Sequence, residues 1–427
     1  MISSSAGESG FYRRASVIAS DFQPVFRPFR SGKANGLAPC RPQAYNPRLM
    51  RLWRYCVAGF LYDWLAFVFG TVVPIRAEEF GASATQLAIL QAAQAIVYVL
   101  VCLVMGRLSD RISRSWLARA GSLGAILACL LLSRTGTFPG LLLVTPVMGF
   151  AAGVYWPGAQ GAIGAEAEPA RLERALGIFN VTWSVGKSLG FAMAGWLIAS
   201  QGRVHTLWIA AAAAIPIILF YPRDLRLHAS VLREGGHPDR TVFRSMGYVA
   251  NFVAFGVGAT LQIQLFKYLD DRGLGNLWNR KTFFGVLLGT IFAAQTAAFV
   301  VLQRGRRWTY RRSLLYSAQF LVVVVLLAIT AARSDALLLA LAPLVGIGLG
   351  FICASSIYYS LHGPSDHGKY AGLHEAVLGA GTLLVPFAGG WLADRGGDLR
   401  IPYWLAGGAM LAAILIEEML YRRRSTS

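Results

Sequence analysis

The chain has 427 residues, 55% of them hydrophobic and only 14% charged, with a mean hydropathy of +0.50. That balance excludes an ordinary soluble globular protein and points to a polytopic membrane protein. The formal net charge of +19 is spread over loops and an N-terminal arm, which fits membrane topology and attraction to anionic lipid and argues against nucleic-acid binding.

Residues 1–50 are rich in Ser, Gly, Pro and Arg and nearly free of acids, the composition of a disordered arm. Two other readings stay open: an organelle transit peptide, or a start of translation at Met50. Twelve apolar runs follow, each close to the roughly 20 residues that cross a bilayer. They lie near 52–75, 86–106, 117–134, 138–161, 174–200 and 204–221, then 245–268, 282–303, 312–332, 335–361, 370–393 and 401–421. The longest polar interruption, 222–243, reads as a linker between a first group of six in 51–221 and a second in 244–427. Most Lys and Arg fall on the side shared by the arm and the C-terminal Arg422-Arg423-Arg424, so both termini are expected in the cytoplasm. Cys56, Cys102, Cys129 and Cys353 lie inside apolar runs and Cys40 in the arm, without metal-ligand spacing or a disulfide framework.

The two groups resemble each other. GFLYDWLAFVFG, 59–70, returns without a gap as GYVANFVAFGVG, 247–258, pairing Phe67 with Phe255 and Asp63 with Asn251. Ala92-Ala93-Gln94 returns as Ala293-Ala294-Gln295, and Pro146, Gly149 and Gly153 as Pro343, Gly346 and Gly350. Gly177, Gly186 and Gly195 return as Gly372, Gly381 and Gly390. Matches in one order along the chain indicate an internal duplication.

Between the second and third spans stands Gly106-Arg107-Leu108-Ser109-Asp110-Arg111-Ile112-Ser113-Arg114. It resembles the GxLxDRxGR hairpin of the major facilitator superfamily, with Ser113 in place of the second glycine. The resemblance covers residues 50–425 and implies an all-α integral membrane protein: twelve transmembrane helices in two six-helix pseudo-symmetric bundles, related by an axis along the membrane normal. It also implies that Gly106, Asp110, Arg111 and Arg114 form a conformational latch, and that spans 1, 4, 7 and 10 surround a central path. The fifth span resembles an exporter motif of the same family, but Phe191 occupies the proline position, leaving the direction of transport open.

Charges inside a membrane are costly and usually face a cavity or a partner. Asp63 stands about eleven residues, roughly 16 Å, into the first span, and Lys187 about thirteen residues, roughly 20 Å, into the fifth. An Asp63–Lys187 pair is therefore feasible. It could be structural, each charge making the other tolerable, or it could handle protons or substrate. His374 and Glu375 stand early in the eleventh span, where an interfacial helix-end contact and a proton relay are both open; Glu375 matches Asn180 of the fifth span. Asn251, Gln94, Gln295, Trp156, Gln160 and Tyr358 are further candidates for the substrate or proton path, although single aromatic residues there more often pack than bind. His374-Glu375 lacks a second histidine at zinc-protease spacing, and no metal site or cofactor is inferred.

The expected function is secondary active transport of a small organic solute by alternating access, with proton coupling favoured and the identity of the solute and the direction of transport not specified by the residues. It is expected from a monomer in the cell (inner) membrane, in contact with the lipid bilayer and with no nucleic-acid partner. The alternative is a transport-inactive sensor or scaffold with the same fold. An enzyme is not expected, because no nucleophile and base set or P-loop is visible.

Overall fold

The computed structural model describes residues 47–108, 112–166, 172–222, 239–361 and 367–425. Apolar runs this long can satisfy their backbone polar groups within lipid only as helices or closed barrels, and the described residues form helices without strands. In chain order these are α1 (Pro47–Glu79), α2 (Ala84–Leu108), α3 (Arg114–Arg134), α4 (Phe138–Glu166), α5 (Leu172–Phe220) and α6 (Arg240–Asp271). They continue as α7 (Arg280–Leu302), α8 (Arg312–Ala331), α9 (Asp335–Leu361), α10 (His367–Gly396) and α11 (Ile401–Ser425). All 11 are long and apolar enough to cross a membrane.

Where twelve runs are expected, eleven helices stand among the described residues because α5 spans both the fifth and sixth runs. It has 49 residues and leaves helical geometry at Gly202, with φ 76° and ψ 161°. Glycine carries this left-handed φ without a Cβ penalty, so α5 consists of two helical arms on either side of a break. α6 begins at Arg240, inside the stretch expected to be linker. Its first turn is held by Phe243, which is buried and meets the rings of Tyr310, Tyr359 and Tyr421.

Within the first part of the chain α1 packs on α5, α2 on α4, and α3 on α4 and α5. Within the second, α6 packs on α10 and α11, α7 on α9, and α8 on α9 and α11. Two long seams join the parts, α2 against α10 and α5 against α7. Small residues make the second seam possible. A Cβ added at Gly195 would collide with the carbonyl of Lys281, and one at Gly285 would lie 2.5 Å from that of Phe191. Leu100, Val104, Leu143, Leu219 and Phe220 point outward and are exposed, as expected of a surface meant for lipid.

The two parts are also joined at the end of the bundle where α1 passes into α2. The Asp394 carboxylate of α10 accepts hydrogen bonds from Ser83 Oγ at 2.6 Å, Ala84 N at 3.0 Å and Thr85 N at 2.8 Å. These amides open α2, so a carboxylate from one part of the chain caps a helix of the other and meets its positive end. Lys267 of α6 pairs with Glu78 at 3.2 Å, and Lys281 of α7 with Glu79 at 2.7 Å. Gln264 Nε2 donates to the carbonyl of Ala84 at 2.9 Å.

Replacing Asp394 with Ala is expected to weaken closure at this end by about 0.5–2 kcal/mol, the usual cost of losing a helix N-cap. Spin labels at the exposed positions Gly136 and Arg333 would report it as a larger long-distance population in pulsed electron-electron resonance. An unchanged distance distribution would show that the cap does not hold the parts together.

Candidate functional site

α5 carries Gly186-Lys187-Ser188-Leu189-Gly190, and both glycines press on α1. A Cβ at Gly186 would collide with the carbonyl of Phe60, and one at Gly190 would come within 2.7 Å of the carbonyl of Trp64. The lysine between them is thereby delivered to the face of α1 that bears Asp63 and, one turn on, Phe67. The same device recurs in the second part of the chain, where Gly381 of α10 leaves no room for a Cβ against the carbonyl of Phe252 on α6.

Lys187 is 8% exposed and Asp63 3%. The feasible ion pair between them is not formed, since no carboxylate lies within about 4 Å of the Lys187 ammonium among the described residues. Aromatic faces surround the ammonium instead. Its Nζ lies 3.7 Å from the ring centre of Phe292, 4.7 Å from that of Phe67 and 6.0 Å from that of Phe255. Such contacts stabilise a desolvated cation by roughly 2 kcal/mol or more at best, without accepting its protons as an oxygen would. Phe67 belongs to the first part of the chain, and Phe255 and Phe292 to the second, so the cage straddles both.

Asn251 takes the position of Asp63 on α6. It is fully buried, and neither its Oδ1 nor its Nδ2 has a hydrogen-bond partner. Gln295 Oε1 is likewise buried without a partner. Gln94 is half-buried. The hydroxyls of Tyr62 and Tyr155, whose rings stack with centres 3.7 Å apart, are buried and unpartnered as well. These unsatisfied atoms interrupt an otherwise apolar core.

Glu375 is no helix-end cap. It is buried two turns into α10, and its carboxylate accepts from Tyr98 of α2 and from Gln160 Nε2 of α4, the latter at 2.8 Å. It therefore ties α10 to two helices of the other part. His374 beside it is buried, with Nδ1 3.4 Å from Ser356 Oγ. Asn180, the counterpart of Glu375, is engaged locally, accepting from Trp183 Nε1 at 3.0 Å.

Trp156 belongs to an aromatic cluster with Tyr62, Tyr155, Phe179 and Trp183, a packing role. Tyr358 packs near the end of α9 with Trp308, Tyr310 and Tyr359, not in the cage around Lys187. Of the expected latch, Gly106 lies in the last turn of α2 and Arg114 opens α3, while Asp110 and Arg111 lie outside the described residues.

Sequence reasoning missed the phenylalanines, although Phe67 and Phe255 are a matched pair of the repeat. It also passed over Glu417, fully buried in α11, whose two carboxylate oxygens each lie 2.8 Å from Gln319 Nε2 of α8.

Helices of membrane length packed around buried polar groups define a multi-pass membrane protein. The sequence model of the Major Facilitator Superfamily matches residues 55–363, and the chain belongs to that family. It is 24% identical over 212 residues to the fosmidomycin resistance protein of Escherichia coli (strain K12), covering 50% of this chain and 52% of that one. It is 22% identical over 169 residues to the uncharacterized MFS-type transporter YceJ of Bacillus subtilis (strain 168), covering 40% of this chain and 43% of the relative. The matched segments thus span about half the length of these curated relatives.

Replacing Glu375 with Ala strands the Tyr98 hydroxyl and the Gln160 amide. The expected loss is about 1–3 kcal/mol of stability, read as a lowered midpoint of thermal unfolding in detergent. An unchanged midpoint would mean that this junction contributes nothing to holding α2, α4 and α10 together.

Proposed function

We propose that the chain is a secondary active transporter that moves a small organic solute by alternating access, coupled to protons. The observation that carries this reading is the burial of Asp63 and Lys187 without a mutual ion pair, beside aromatic rings drawn from both parts of the chain. A charge near the bilayer centre costs roughly 2.5–3.5 kcal/mol on insertion scales. A purely structural pair would offset that cost by direct contact. These two groups stand apart and leave their polar atoms for something that enters.

The path crosses the membrane twelve times in this reading. A straight helix of the 49 residues of α5 would be about 73 Å long at 1.5 Å per residue, more than twice the roughly 30 Å hydrocarbon thickness. Its two arms are therefore separate crossings joined by a turn at Gly202. Residues 51–221 and 244–427 form two six-crossing bundles joined by the linker 222–243. The recurrence of α1–α5 and α2–α4 contacts as α6–α10 and α7–α9 supports their pseudo-symmetry. Both termini lie on the cytoplasmic side of the cell membrane in this reading, which the distribution of Lys and Arg supports.

Asp63 is the favoured proton carrier, because a carboxyl can lose its charge by protonation as the bundles rock past it; Glu375 is second, since it already holds two hydrogen bonds. The E. coli relative, named for resistance to fosmidomycin, supports a small-molecule substrate.

The test is reconstitution in liposomes with solutes first identified by ligand-induced thermal shift. Asp63→Asn is expected to reduce accumulation driven by a pH gradient to the level of protein-free liposomes, with an unaltered size-exclusion profile. Undiminished gradient-driven accumulation in that variant would remove Asp63 from the role.

A further inference from the structure

We propose that Lys187 is the anion-binding centre of the central site, so that the solute is a small organic anion whose apolar or aromatic body lies against Phe67, Phe255 and Phe292. The inference rests on the transporter reading above and names the substrate class of that same site.

An ammonium has three donors and no acceptor. Lys187 is more than nine-tenths buried, yet among the described residues its donors meet no oxygen. Burying a charge is costly unless it is paired and hydrogen-bonded. The ring faces at 3.7 and 4.7 Å offset part of that cost and leave its donors open. A carboxylate or phosphonate would supply the missing oxygens, and the same rings would hold an apolar body beside it. Asp63, a buried carboxylate of the facing helix, forms no ion pair with Lys187 among the described residues.

A separate feature of the same seam agrees. Further along α1, α5 and α7, Arg76, Arg203 and Lys281 line a cavity of about 130 Å³ that contains one carboxylate, Glu79. Glu79 is shared between Arg76 at 2.8 Å and Lys281 at 2.7 Å, while Arg203 donates only to the carbonyl of Ser133. Three cations against one acid leave this end of the seam positive, and a field of that sign raises the local concentration of anions.

The test uses the full chain, purified in detergent, and isothermal titration with four probes of similar body and different charge: benzoate, phenylphosphonate, benzamide and benzylammonium. Saturable binding is expected for at least one of the two anions, with benzamide and benzylammonium at least about tenfold weaker. Lys187→Gln is expected to weaken the anion by roughly tenfold or more, as for loss of a charged hydrogen bond. Lys187→Arg should stay within a few-fold of the original. Phe292→Ala leaves the charge in place and should also weaken the anion, which keeps the test decisive if Lys187→Gln does not fold.

The proposal is overturned by absence of saturable binding for both anions, by preference for benzylammonium, or by anion affinity that neither Lys187→Gln nor Phe292→Ala changes. Liposome uptake separates the two levels of inference. Anion binding at Lys187 without passage across the membrane would leave this site standing and reject transport. Passage of a neutral or cationic solute, unimpaired in Lys187→Gln, would keep the transporter and reject the anion site.

Discussion

The close approach of α5 to α1 is the constraint on which the interior depends. Gly186 and Gly190 bring the two backbones together at Phe60 and Trp64, and the residue between the glycines is a lysine. In lipid there is no hydrophobic driving force between helices, so small residues and interlocking shape decide which helices meet. Here that geometry also decides where a charge goes. Lys187 reaches into the seam with α7, where its Nζ lies over the ring of Phe292.

A second consequence concerns the asymmetry of the repeat. Gly381 presses on Phe252 as Gly186 presses on α1, but Thr382 stands where Lys187 would be and Asn251 where Asp63 would be. Both parts of the chain are therefore built to bring a side chain to the same kind of place, and only the first part uses charged groups. The second contributes Phe255 and Phe292 instead. The duplication provides two similar half-walls, and their differences place Asp63 and Lys187 on one and the neutral Asn251 and Thr382 at the matching positions of the other.

Much of the helix layout was legible in the sequence because hydrophobic length is a strong signal, and the break at Gly202 falls in the polar stretch Ser200-Gln201-Gly202-Arg203 that separates two apolar runs. The burial of Asp63 and Lys187 was legible for the same reason. Whether the two touch was not, since contact depends on the direction each side chain takes, and the rings that compete for the ammonium come from helices distant in sequence. Glu375 was visible as an early acid of its span, but its partners Tyr98 and Gln160 are supplied by two other helices. Asp394 gave no signal at all: an Asp-Arg pair at the end of an apolar run looks like a solvated terminus, and only the fold brings the start of α2 to it.

The cage around Lys187 and the closure at Asp394 bear on each other. Phe67 is carried by the same helix as Glu78 and Glu79, and Phe255 and Phe292 by the same helices as Lys267 and Lys281. A rigid-helix motion that parts Glu78 from Lys267 and Glu79 from Lys281 about a pivot at the opposite end of the bundle also draws Phe67 away from Phe255 and Phe292. The ammonium then loses ring faces on one side, and a desolvated cation that loses them requires water or a counter-ion in their place. Occupancy at Lys187 and closure of the bundle end are thus linked by the stiffness of α1, α6 and α7. A ligand that bonds the ammonium differently in the open and closed arrangements shifts the balance between them by that difference in affinity and by no more.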